Sequence, residues 1–139
     1  TKESRLRILQ WKIIHNIYPT NILLQKMNIS DSQMCKQCKE IDFTDHFFFS
    51  CGEVRIIWRE VEHLIFQRCS TLYKLSQRDV MFGIINTDKK SKNFNKQNLQ
   101  WVNKLILVGK MSISKLKYVP KRNALEILNS EISLRGLTP

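Results

Sequence analysis

Apolar residues recur at helical spacing along most of this chain. Between Arg5 and Ile17, the residues Leu6, Leu9, Ile13, Ile14 and Ile17 share one face, with Ser4 placed to cap the helix. Pro19 breaks that helix, and Thr20 caps a second one carrying a short stripe of Ile22, Leu23, Leu24 and Met27. Residues 28–33 are a polar loop. Thr44 is placed to cap a short turn that opens with Asp45 and projects His46. Val54, Ile57, Trp58, Val61, Leu64 and Ile65 then follow the i, i+3, i+4, i+7 rhythm of a helix of about four turns. Ser76 and Asp79 form a capping box for a short helix through Val80, Met81 and Phe82 that stops at Gly83.

Residues 86–98 are polar and basic and predict an exposed, flexible connecting loop. Beyond them Trp101, Val102, Leu105, Gly109, Ile113 and Leu116 line one arc of a long helix, with Lys104 and Lys115 on one flank and Lys110 and Lys117 on the other. Leu107 and Met111 lie outside that arc, which fits a wider buried face better than a second contact surface. Pro120 ends the helix, and Ala124, Leu125, Ile127, Leu128 and Ile132 predict a last one. No alternating strand pattern of useful length occurs. The expected fold is all-α: a small helical domain at 1–85 with a metal-stapled knuckle between short helices, a loop at 86–98, and a C-terminal helical pair at 99–139 packed on the first part. A tiny hairpin around Cys35 and Cys38 is compatible with this.

The knuckle rests on residues 35–51, CKQCKEIDFTDHFFFSC. The spacing C-x2-C-x7-H-x4-C offers Cys35, Cys38, His46 and Cys51 as four donors, and tetrahedral zinc takes such donors at about 2.0 to 2.3 Å. Four protein ligands leave no position for water or substrate, so one zinc here would be structural. Two other readings are weaker. One is a set of buried free cysteines beside an incidental histidine. The other is an iron–sulfur site, where histidine is the less usual ligand and a second Cys pair would be expected. Phe43, Phe47, Phe48 and Phe49 would pack around the ion, one of them remaining free to stack on a base. Asp42 and Asp45 are read as solvated turn residues rather than acceptors for His46. His15 and His63 are structural or surface residues, and Cys69 is a small buried hydrophobe.

Composition narrows the partners. The 139 residues carry a formal charge of +11, divided as +3 over residues 1–34, zero over 35–75 and +8 over 76–139. A field of that sign attracts phosphate polymers. No leader segment and no apolar run of about 20 residues is present, so an intracellular protein, cytoplasmic or nuclear, without membrane contact is expected. The chain opens on Thr1, as expected of a fragment of something longer. Phosphate-loop, H-E-x-x-H, G-x-S-x-G and dinucleotide motifs are absent, so no enzyme activity and no small-molecule substrate is expected.

Gln10-Trp11-Lys12, Ile14-His15, Ile17, Pro19-Thr20-Asn21, Leu24, Met27, Asp31-Ser32, the Cys35-x2-Cys38 pair, His46-Phe47-Phe48, Cys51 and Trp58 together resemble the zinc-binding region C-terminal to the reverse transcriptase of LINE-type (non-LTR) retrotransposons. The resemblance covers about residues 5–83. It implies Cys35, Cys38, His46 and Cys51 as zinc ligands, an upstream polymerase domain as neighbour, and contact with template RNA or target DNA, with no catalytic residue in this chain. Lys12, Lys36, Lys39, Arg55, Lys104, Lys110, Lys115 and Lys117 are the candidate phosphate contacts, with RNA favoured and DNA possible. The competing function is a docking module that braces the polymerase or nuclease through Leu107, Met111 and an exposed Phe. A degenerate fragment of a mobile element is the remaining alternative.

Overall fold

The computed structural model describes residues 1–86, 89–119 and 122–139. Among these the fold is all-α, with α1 (Lys2–Ile14), α2 (Asn21–Lys26), α3 (Arg55–Cys69), α4 (Gln77–Phe82), α5 (Lys96–Tyr118) and α6 (Ala124–Leu134). A π turn at His46–Ser50 and a 3-10 turn at Gly52–Val54 lead into α3, and another 3-10 turn at Lys89–Asn93 precedes α5.

Helix α5 is the spine. Its apolar arc of Trp101, Val102, Leu105, Gly109, Ile113 and Leu116 is buried, and so are Leu99, Ile106, Val108 and Ser112. A helix buried on so wide a face must be covered from several directions. Here α1, α3, α4 and α6 all pack on it. The rhythm read for α3 holds at every position, since Val54, Ile57, Trp58, Val61, Leu64 and Ile65 are all buried. The capping box holds too: Ser76 Oγ accepts from the Asp79 N–H at 3.2 Å, and Asp79 Oδ2 accepts from the Ser76 N–H at 3.0 Å.

Several expected caps move. Helix α1 starts earlier than its stripe suggests, because Thr1 Oγ1 accepts from the Ser4 N–H at 3.1 Å; Ser4 lies inside the helix. Only Leu6, Leu9 and Ile13 of its stripe are buried, leaving Ile14 and Ile17 exposed. Thr20 begins α2 without a side-chain hydrogen bond, and Asp42 Oδ2 takes the Asn21 N–H at 3.0 Å instead. The loop expected over 86–98 is more ordered than its composition suggests, with Ser91 and Phe94 buried and Phe94 5.3 Å from Tyr73, ring to ring. Thr87, Asp88 and the helix-ending role read for Pro120 lie outside the described residues.

One contact joins the two halves closely. The six-membered ring of Trp58 lies against Gly109, where an added Cβ would meet Trp58 Cζ3 at 2.8 Å. The indole is fixed from behind because its Nε1–H donates to Phe48 O at 2.7 Å. Alanine in a helix gains about 1 kcal/mol over glycine, whereas overpacking a rigid core costs about 1–3 kcal/mol. Gly109→Ala is therefore expected to lower the chemical-denaturation midpoint despite its better helix propensity.

Candidate metal centre

The knuckle is built by two local devices. Between Met34 and Ile41 the chain doubles back in a single antiparallel bridge. The Cys35 N–H donates to Glu40 O at 2.6 Å and the Lys39 N–H to Cys35 O at 3.0 Å, and Lys39 takes φ +60° to close the turn. This presents Cys35 and Cys38 from one short loop. The second device is the π turn, in which the Cys51 N–H donates to His46 O at 2.9 Å. Closure between residues five apart, rather than four, stacks position 51 over position 46. The spacing H-x4-C thus brings imidazole and thiol together.

The ligand atoms of Cys35, Cys38, His46 and Cys51 all lie within 4.8 Å of one another. Cys51 Sγ is 3.9 Å from Cys35 Sγ and 3.4 Å from Cys38 Sγ, with all cysteines free. A disulfide needs about 2.05 Å, whereas thiolates about 2.3 Å from a tetrahedral ion stand about 3.8 Å apart. The separations are those of co-ligands. His46 is buried, its Nδ1 lies 3.4 Å from Glu40 Oε2, and its Nε2 has no partner among the described residues. A carboxylate on one ring nitrogen leaves the other as the donor, the usual arrangement of a metal-binding histidine.

The electrostatics ask for a cation. Burial pushes the Cys51 thiol up to about 12, while the Gly52 N–H, 3.4 Å from Cys38 Sγ, holds that thiol below its ordinary range. Lys117 adds a further clue. Its Nζ is buried without a hydrogen-bond partner among the described residues, 4.4 Å from the centre of the Phe47 ring, and its charge draws the Cys51 thiol down. An unpaired buried ammonium is costly. Three thiolates around a divalent ion carry one net negative charge, which offsets it. The residues present therefore fit a divalent metal.

Residues 2–58 match the family model described as zinc-binding in reverse transcriptase. No curated protein and no solved structure matches the chain.

The matched segment contains all four donors and ends at Trp58, the residue seated on α5. The Phe run divides by burial. Phe47 and Phe48 pack with Tyr18, at ring separations of 4.8 to 5.0 Å, while Phe43 is exposed and Phe49 half-buried. Thr44 does not cap the turn: it is buried and donates to Asn16 Oδ1 at 3.1 Å. Asp42 is likewise buried rather than solvated, and Asp45 accepts from Gln77 Nε2 at 2.9 Å. The residue facing His46 is Glu40, two positions beyond the second cysteine, where the hairpin return carries it. His15 and His63 lie on the surface, and Cys69 packs partly buried against the core.

Of the candidate phosphate contacts, Lys12, Lys36, Lys39 and Arg55 are exposed. The four lysines of α5 are otherwise engaged. Lys104 pairs with Glu3 at 2.8 Å, Lys115 pairs with Glu131, and Lys117 sits over Phe47. Lys110 is 1 % exposed, with its ammonium on Gln10 Oε1 and Met81 O. Only Lys110 is covered by the helices packed around α5, while Lys104 and Lys115 keep side chains 36 and 43 % exposed beside their carboxylates. Arg59 and Lys74 are also exposed.

Purified protein is expected to carry one metal ion per chain, measured by elemental analysis. Lys117→Met should release it to a competing chelator about tenfold more readily, and Lys117→Arg should largely restore retention. Burial holds Lys110 down at about 7 from an ordinary 10.5. Below the lower value the folded and unfolded chains are both charged there and the desolvation cost is full; between the two, the folded chain has lost a proton that the unfolded chain keeps. Stability relative to Lys110→Met should therefore rise with pH across that window, read from denaturation midpoints of both proteins.

Proposed function

We propose that the chain is a non-catalytic zinc-binding module of a non-LTR retrotransposon reverse transcriptase, contacting template RNA or target DNA. The observation that carries this reading is the convergence of three sulfurs and an otherwise unpartnered imidazole inside the segment that matches a reverse-transcriptase zinc-binding family. Three soft donors and one imidazole favour zinc among the common divalent ions, and a set of four protein ligands has no open position for hydrolytic chemistry. The metal's work is to hold the knuckle.

Nucleic-acid contact is supported by what the knuckle displays. Lys12, Lys36, Lys39 and Arg55 are exposed and make no ion pair among the described residues, on a chain with a net charge of +11. RNA is favoured over duplex DNA because no helix among the described residues presents a base-reading row. A docking role is a second reading, favoured by a different surface from the one expected. Leu107 and Met111 are packed against the core, but Ile8, Trp11, Ile14 and Ile17 along and just beyond α1 are 43 to 55 % exposed and could meet the polymerase. Among the described residues no helix is long and apolar enough to cross a membrane.

If four phosphates are engaged, affinity for single-stranded RNA should fall about 50-fold between roughly 50 and 200 mM salt. Fluorescence anisotropy at several salt concentrations measures this. A flat profile would leave the docking reading standing and remove the nucleic-acid one.

A further inference from the structure

The chain from Ser70 to Ser76 runs back along α3 and leaves a groove beside it. Two adjoining cavities of about 620 and 410 Å³ share Arg59, Glu62 and Lys74 as walls. The buried Trp58, Tyr73 and Leu75 contribute apolar surface, while Phe49 is half-buried and Phe66 is 46 % exposed.

The groove is preformed. Glu62 Oε1 accepts the Leu75 N–H at 3.0 Å, tying the returning chain to α3. Tyr73 donates to Asp79 Oδ2 at 2.9 Å, which fixes the same segment to the capping box of α4. The acid in the lining is thus committed to the backbone. The cations are not: Arg55 and Arg59, on successive turns of α3, and Lys74 opposite them are exposed and make no hydrogen bond or ion pair among the described residues.

Unpaired cations beside aromatic faces match the two chemical surfaces of a single strand, a phosphate chain and unstacked bases. A duplex hides its base faces and offers only the first. We propose that this groove seats single-stranded nucleic acid, with Arg55, Arg59 and Lys74 on phosphates and a base against Phe49 or Phe66. The inference rests on the nucleic-acid reading above and locates it mainly outside the zinc-binding segment. An acidic, aromatic peptide is the other occupant such a groove would take, but the bare cations bordering the apolar surface favour a polyanion.

The test is anisotropy with the full, metal-loaded chain and labelled 12-nucleotide probes: RNA, DNA of the same sequence, an abasic strand of equal charge, and a duplex. Both natural single strands should bind more tightly than the abasic strand and the duplex. Arg59→Ser with Lys74→Ser should weaken binding at least tenfold and lower the log–log salt slope by about 1.4, at unchanged metal content. Phe49→Ala with Phe66→Ala should abolish the preference for natural over abasic strands. Unchanged affinity in the charge variant, or no natural-over-abasic preference, overturns the groove and leaves general nucleic-acid binding intact. Failure of every probe to bind at low salt removes the broader reading itself. Displacement of the RNA by an acidic aromatic peptide at lower concentration than by unlabelled RNA would assign the groove to a protein instead.

Discussion

The convergence of four donor atoms is the constraint around which residues 29–51 are arranged, because hydrogen bonds rather than a packed apolar core hold the first half of that stretch. Ile29, Met34, Ile41 and Phe43 are 39 to 67 % exposed, so Cys35 is the one apolar side chain fully buried in the first half of the knuckle. Apolar burial of that size cannot offset the entropy of ordering a loop. Metal binding of the structural kind contributes on the order of 10 kcal/mol, comparable to the stability of a whole domain. The hairpin, the π turn and the Glu40–His46 contact are arranged around that convergence.

The knuckle is in turn held against α5. Tyr18 shares a hydrogen bond with Ser114 at 2.6 Å, Lys117 covers Phe47, and Trp58 rests on Gly109. Far along the same helix, Trp101 Nε1–H reaches Leu137 O at 3.1 Å, closing the C-terminal segment onto it. One helix therefore organises the metal site at one end and the chain terminus at the other. The charge of Lys117 makes that organisation electrostatic as well as steric.

Much of this was legible in the order of residues. The α3 rhythm, the Ser76–Asp79 box with its Gly83 stop at φ +79°, and the four donors all carry strong local signals, since each depends on neighbours in sequence. What the sequence hid was set by tertiary context. The π turn looks like any short helix until its closure between residues 46 and 51 is seen. The burial of Lys110 was hidden because periodicity shows which face is apolar but not how many neighbours surround it. Asp42 looked like a turn residue because its partner, the Asn21 amide, lies twenty-one positions away.

The seat of Trp58 on Gly109 has a consequence for anyone seeking a minimal cassette. The indole that closes the recognisable segment has its partner fifty-one positions downstream, so a cut after residue 58 does not separate two modules but splits one interior. The excised piece would present the Trp58 indole, and the underside of its aromatic turn, to water. Such a fragment would be sticky and self-associating even when fully metallated.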